Sequence, residues 1–289
     1  MVDPVVPSAS LSYELLRDTL RISGPDRKSW LDGLVTCSVA PVAPGTAAYG
    51  LLLTKQGKIV TDLFLLDDGN VLFMGVAPGR GEVVRELLDR YLVMEDAELE
   101  SPIPAPAWRF ASAPDVLHGA SAHGTLTLGT LQGQVAISPA GSQPGVQADA
   151  DQLARLWARH GLGTFGVDFG ERDNPHEASL DRVAISWTKG CYLGQEVVCM
   201  QDMRGKVKRR LVALEAHSAS SELVGKPVHE VHGAAVAGLV SSVHHEPSGA
   251  ALLLASIMTP ALESQAGLTV EGVPVRRVEG AVSPGAPAS

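Results

Sequence analysis

Apolar and polar positions along this chain follow two periods, and the switch between them marks out its elements. Leu20-Arg21-Ile22-Ser23 alternates like a short strand. Ser23-Gly24-Pro25-Asp26 then reads as a helix start, with a serine cap, proline in the first turn and an acid three residues after the serine. Trp30, Leu31 and Leu34 form the apolar stripe of a helix predicted to run to about Thr36. Two apolar runs, Ala48 to Thr54 and Ile59 to Leu66, flank the glycine-containing turn Lys55-Gln56-Gly57-Lys58 and predict a β-hairpin. A third strand, Val71 to Met74, precedes a helix from about Gly81 to Tyr91 with Val83, Val84, Leu87, Leu88 and Tyr91 on one face. Three strands followed by a helix give an α+β layer, not a doubly wound sheet.

Ser101 to Pro106 is a proline-rich connection that ends this lobe. Trp108 to Ala111, Gly124 to Leu128 and Gly133 to Ile137 read as short strands, and Pro139 to Gly145 as an exposed loop. A helix over Ala150 to His160 carries Leu153, Leu156 and Trp157 on one face and is stopped by Gly161. From Val207 to Val278 short apolar runs alternate with turns at Gly225-Lys226, His232-Gly233, Pro247-Ser248-Gly249 and Glu271-Gly272, the pattern of a small antiparallel barrel. The division expected from these patterns is an α+β body over 10–203, a barrel over 204–278 and a disordered Pro/Ala/Ser/Gly tail over 279–289.

At 289 residues and 45% apolar composition the chain can bury a sizeable core. Its net charge of −9 argues against non-specific binding to nucleic acid or an anionic membrane, and 4% aromatic residues argue against a base-stacking surface. Three cysteines, Cys37, Cys191 and Cys199, are an odd number in a long chain, so a reducing compartment fits better than a disulfide framework. Met1 to Pro7 carries no basic or long apolar region, no run approaches a membrane span, and the expected location is the cytoplasm.

Chemistry is densest in Lys189-Gly190-Cys191-Tyr192-Leu193-Gly194-Gln195-Glu196, which packs a thiol, an ammonium, a carboxylate and two glycines together. A lysine two positions from a cysteine, with backbone N–H groups freed by glycines, favours the reactive thiolate; a tight turn around a buried, inert cysteine is the alternative. Asp62 is a carboxylate set among Ile59, Val60, Leu63 and Phe64; it either points into a cavity, where it can orient or deprotonate an amine, or forms the polar phase of a half-exposed strand. Arg204, Lys206, Lys208, Arg209 and Arg210 are a solvated edge or an anion clamp. A Cys191–His176 dyad would suit thiol chemistry, but a lone exposed histidine is usually decorative. Cys191 and Cys199 are spaced unlike structural zinc ligands, so no all-protein zinc or iron–sulfur site is expected. His229, His232, His244 and His245 read as outward-facing strand residues.

The octapeptide, followed by Val197-Val198 and Arg204-Gly205, resembles the signature of the YgfZ-type folate-binding proteins of iron–sulfur cluster assembly and repair, relatives of the glycine cleavage T protein, an aminomethyltransferase. The resemblance extends from Leu20 to Val278 through the strand–Ser-Gly-x-Asp–helix opening, Gly33-Leu34-Val35-Thr36 and Gly166-Val167-Asp168. It implies a T-protein-like body with a C-terminal barrel, and tetrahydrofolate or a derivative in a central cavity. Cys191 would be the working thiol tuned by Lys189, with Asp62 matching a catalytic aspartate of the T proteins. Gln195, Glu196, Arg204, Tyr49 and Trp157 would contact the cofactor. The implied partners are iron–sulfur client or assembly proteins, with no nucleic acid and no membrane.

Two departures accompany it. Cys37 and Ser38 stand where the family usually has Asn and Asp, and Trp157-Ala158-Arg159 stands where it usually has Arg-Ile-Glu. In the T proteins that glutamate holds the pterin ring, and a guanidinium in its place reverses the hydrogen-bond pattern. Folate is then bound in a modified way or has been lost, and the two other readings are a true aminomethyltransferase and a non-catalytic interaction module.

Overall fold

A computed structural model of the chain describes residues 12–281 apart from 101, 103–106, 112–119, 139–146, 149, 206, 218–219, 232 and 234. The expected loop at 139–145, the tail beyond 281 and all but Pro102 of the proline-rich connection lie outside the described residues.

The central hairpin pairs β3 (Gly45–Leu53) with β4 (Ile59–Asp67), Leu51 opposite Asp62. All nine residues of β4 are buried, as a strand covered on both faces requires. Leu52, Leu63 and Leu65 pack into one core with α1 (Arg27–Asp32) and α2 (Gly81–Asp89), while Leu51, Leu53, Phe64 and Leu66 enter a second core with α3 (Ala150–Arg159) and the segment 162–198. Because side chains alternate along a strand, Asp62 shares the face of Phe64 and Leu66 and enters that second core.

Around the hairpin the sheet is completed by β1 (Ser12–Leu15), β2 (Asp18–Ser23), β5 (Leu72–Val76), β6 (Glu98–Leu99), β7 (Ala107–Ala111), β8 (Ala122–Leu128), β9 (Leu131–Ser138) and β10 (Gln147–Ala148). The ten strands lie in the order β10-β1-β7-β9-β8-β3-β4-β5-β2-β6, its two halves joined by a short parallel contact of Gly45 and Thr46 with Gly124 and Thr125. The first predicted helix is shorter than expected. It stops at Asp32, because Val35 and Thr36 leave the helix to pair with the edge of β3: Val35 bridges Leu52, and the Thr36 amide donates to the Leu51 carbonyl at 3.0 Å.

The final third is a closed barrel of β11 (Arg209–Ala216), β12 (Pro227–Glu230), β13 (Val236–His245), β14 (Ala251–Met258), β15 (Leu268–Val270) and β16 (Val273–Arg277), in the order β11-β14-β13-β12-β15-β16. Glu271 and Gly272 join β15 to β16 with φ of 49° and 80°, the two positive values that a tight hairpin turn of matching twist demands. The barrel adds one short helix, α5 (Thr259–Glu263), that alternation alone did not predict. Its outer face, carrying Leu211, Ala213, Leu252 and Leu254, packs on Ala158 of α3, which docks barrel and sheet together. Among the described residues no helix is long and apolar enough to cross a membrane.

Candidate functional site

A cavity of about 350 Å³ opens where the β1–β2 turn, α3, the segment 164–168 and the barrel meet. Leu153, Ala154 and Trp157 face it from α3, the spacing of one helical face. Leu16, Phe165 and Val167 line it as well, and Leu16 and Val167 are 65% and 59% exposed at its mouth. Its polar groups are Glu14, Arg17, Thr164, Asp168 and His244. Asp168 is fixed in place: its Oδ1 accepts from the Ser241 and Ser242 hydroxyls at 2.6 and 2.7 Å, and its Oδ2 from the Thr164 amide at 2.9 Å. A carboxylate has about four acceptor sites, so roughly one remains open on Oδ2.

Asp62 does not line this cavity. It is 1% exposed, and Arg17, which does line it, stands over it with two hydrogen bonds of 2.6 and 3.0 Å, while the Tyr49 hydroxyl donates a third at 3.2 Å. The Arg17 guanidinium also sits 4.7 Å from the centre of the Phe64 ring. Neither expectation for Asp62 holds: the carboxylate is neither solvent-facing nor open to a ligand, because a bidentate guanidinium occupies it. Burial, and then the Asp62 charge, hold the Tyr49 hydroxyl well above its ordinary pKa, so Tyr49 stays a donor. Tyr49 lines a different groove, shared with Cys37, Thr46 and Thr125.

The octapeptide behaves as a mount. Lys189 is almost wholly buried, and its ammonium donates to the carbonyls of Asp32, Val35 and Cys37 at 2.5, 3.0 and 2.8 Å and pairs with the Asp32 carboxylate at 3.2 Å. Its three donors are thereby engaged by the stretch from the end of α1 to Cys37. Gly194 has φ of 82°, and a Cβ there would lie 2.5 Å from the Thr54 carbonyl, so glycine alone lets α4 (Gln195–Arg204) start against the hairpin turn. Between these two anchors Tyr192 is buried and Cys191 is exposed. The inert buried cysteine is Cys37, whose thiol burial pushes up to about 12, with the nearby Lys189 charge offsetting part of the effect.

Of the remaining expected ligand contacts, Gln195, Glu196 and Arg204 are not brought to the cavity and Trp157 is. Gln195 opens α4, its amide donating to the Tyr192 carbonyl at 3.2 Å, Glu196 is exposed beside it, and Arg204 is exposed in the last turn; none of the three lines the cavity. Trp157 does line it. Arg159, two residues on and therefore about 200° round the helix, turns away and pairs with Glu246 at 2.8 Å, so it offers nothing to a ligand there. Within the basic run Arg209 pairs with Asp173 and Arg210 with Asp181, each at 2.9 Å, and Lys206 lies outside the described residues. His176 is 1% exposed and faces Asp202 at 3.5 Å, not a surface histidine poised on Cys191. His244, expected outside, is 9% exposed and lines the cavity.

Arg17, Asp168 and His244 line the cavity without having been expected to from the sequence. Arg17 carried a signal, a lone cation inside the apolar run Leu15-Leu16-Arg17-Asp18 at a strand junction. His244 did not, because register shifts between Val240 and Ser242 and the alternation of β13 breaks there.

The fold is that of an aminomethyltransferase: the glycine cleavage system aminomethyltransferase T from Bartonella henselae superposes with a TM-score of 0.73 over 92% of this chain and 84% of that one, at 13% identity. Sequence relatives narrow the kinship. An iron–sulfur cluster assembly factor IBA57 homolog of Chaetomium globosum is 24% identical over 242 residues, covering 68% of this chain and 54% of its own length. The tRNA-modifying protein YgfZ of Vibrio atlanticus is 21% identical over 226 residues, covering 71% and 69%. An aminomethyltransferase of Herpetosiphon aurantiacus is 27% identical over 265 residues, covering 78% and 72%. No family model matches the chain. The chain spans little more than half the length of three IBA57 homologues it matches, 54%, 58% and 59%. In sequence it is similar to the YgfZ/IBA57-type proteins and to the aminomethyltransferases, and it shares the aminomethyltransferase fold.

Proposed function

We propose that the chain is an accessory protein of iron–sulfur cluster assembly or repair that binds a reduced folate in the cavity and works through Cys191, without transferring an aminomethyl group. The observation that carries this reading is the Arg17–Asp62 pair. A T-protein reaction needs a carboxylate able to meet the substrate amine, and here the matching carboxylate is neutralised by a guanidinium and shut from the cavity. What the fold offers instead is an exposed thiol held between two rigid anchors, the display that a group meeting a partner protein requires.

The cavity lining fits a flat heterocycle. Trp157 and Phe165 give aromatic walls, and Asp168 gives a preset acceptor for ring N–H groups in place of the family glutamate. Arg159 does not oppose it, since it points to Glu246. A reduced folate would supply a one-carbon acceptor at its ring nitrogens when bound; the chain's own part is to orient the ring through Asp168 and to exclude water with Leu16 and Val167.

Two measurements test the reading together. Calorimetric titration with tetrahydrofolate is expected to show binding that Trp157→Ala abolishes, and tetrahydrofolate-dependent release of ammonia from an aminomethyl donor is expected to be absent. Ammonia release by the native chain would overturn the reading in favour of a transferase. Absence of folate binding would leave Cys191 acting on a scaffold that has abandoned its ligand.

A further inference from the structure

Four of the fourteen buried side-chain polar atoms without a hydrogen-bond partner among the described residues lie in one place: both ring nitrogens of His176, Oδ2 of Asp181 and Nε of Arg182. Asp202 of α4 closes the group, its Oδ1 3.5 Å from His176 Nε2. One ligand atom each from His176, Asp181 and Asp202 lies within 4.8 Å of the other two. His176 and Asp181 are each 1% exposed. A buried polar atom left without a partner is costly, so a cluster of them calls for a missing participant.

The arginines around the cluster divide into two roles. Arg210 holds Asp181 Oδ1 at 2.9 Å and also donates to the His176 carbonyl, which fixes the carboxylate against the backbone of the histidine and leaves Oδ2 without a hydrogen bond. Arg182 sits loosely, its Nε 3.5 Å from Asp181 Oδ2, beyond a good hydrogen bond, its Nη2 3.4 Å from Asp202 Oδ1, and its side chain 25% exposed. A guanidinium that truly belonged there would make short, bidentate contacts, as Arg17 does with Asp62. Arg182 therefore has the geometry of a placeholder cation, able to swing into solvent beside Trp187, whose ring it overlies at 5.9 Å.

We infer that His176, Asp181 and Asp202 form a binding site for a divalent first-row transition-metal cation, which displaces Arg182 when it enters. One imidazole and two carboxylates are the donor set of a site with open positions for water, suited to Fe²⁺, Mn²⁺ or Zn²⁺. The site joins the segment 174–183 to α4 and, through Arg210, to the barrel, so occupancy would tie together the elements that carry the Cys191 mount. It stands apart from the folate cavity, which shares none of its residues.

The test uses the full chain and Mn²⁺, a hard ion that carboxylates bind and thiols do not, followed by the electron paramagnetic resonance signal of the free ion. One ion per chain is expected, with affinity falling at least ~tenfold in Asp202→Asn and His176→Gln. Arg182→Ala should tighten binding, since it removes the competing cation; a purely structural cluster would lose stability there and gain no affinity. Zn²⁺ should displace Mn²⁺, following the usual affinity order. If His176→Gln fails to fold by circular dichroism, Asp202→Asn, whose carboxylate is one-third exposed, decides alone. Absence of Mn²⁺ and Zn²⁺ binding by both the native chain and Arg182→Ala, or binding unchanged by the ligand substitutions, would overturn the site and leave an ordered water as the cluster's missing partner.

Discussion

Asp62 and Cys191 are the two residues whose chemistry stands out most in this chain, and the fold treats them in opposite ways. Asp62 is 1% exposed, doubly bonded by Arg17 and capped by Tyr49. Cys191 is exposed, in a segment whose flanks are fixed by Lys189 and Gly194 while the thiol itself is left open. The difference teaches that a motif's chemistry is set by what its neighbours have already claimed. A carboxylate on the central hairpin is half of a buried ion pair, and a lysine beside a cysteine is a structural anchor.

The contrast can be broken most forcefully at Arg17. Replacing it with alanine leaves Asp62 buried without its counter-ion, and a loss of about 3–5 kcal/mol is expected in urea unfolding. An Arg17→Leu/Asp62→Leu pair should cost much less than either change alone. Next in size is Lys189→Met, which strands three carbonyls and the Asp32 carboxylate; about 2–4 kcal/mol should be lost. The rate at which Cys191 reacts with a thiol reagent in the folded variant should stay near the native rate, whereas a tuning lysine would slow it markedly on removal. Gly194→Ala is expected to cost about 1–3 kcal/mol, from its positive φ and the close Thr54 carbonyl.

Alkaline pH sharpens the same comparison among the thiols. The Cys37 thiol is raised from 9.0 to about 12 by burial, so the stabilisation from keeping it protonated is complete below pH 9 and is lost as pH climbs toward 12. At pH 8 Cys191 should react promptly, while Cys37 should react only on unfolding. The smallest effect belongs to Arg159→Glu. It breaks an ion pair in which Arg159 is half exposed, so the stability change should stay below about 1 kcal/mol and tetrahydrofolate titration should be unaltered.

Much of the fold was legible from period alone. The β3–β4 hairpin, the α2 stripe, the short strands of the sheet's second half and the barrel's turns all follow from alternation, helical spacing and glycine placement. The first helix ends earlier than its apolar spacing predicts, because Gly33-Leu34-Val35-Thr36 continues a spacing that tertiary pairing with Leu51 and Leu52 overrides. The site was less legible. Lys189 lies next to Cys191 in sequence, yet its partners are more than 150 residues away. Arg17 and Asp62 are 45 apart, and nothing local to either announces the other. Pairings of this kind depend on which elements become neighbours, and Arg17 reaches β4 from the β1–β2 turn, not from a strand paired with it.

The account rests on the open thiol being the working group. Its most direct test is the activity of iron–sulfur enzymes in a host lacking its own YgfZ-type protein, complemented with the native chain or with Cys191→Ser at matched expression. Serine keeps the size and exposure of the side chain and removes only the thiol, so loss of the rescued enzyme activity is the predicted result. Rescue by Cys191→Ser equal to that of the native chain would contradict the account.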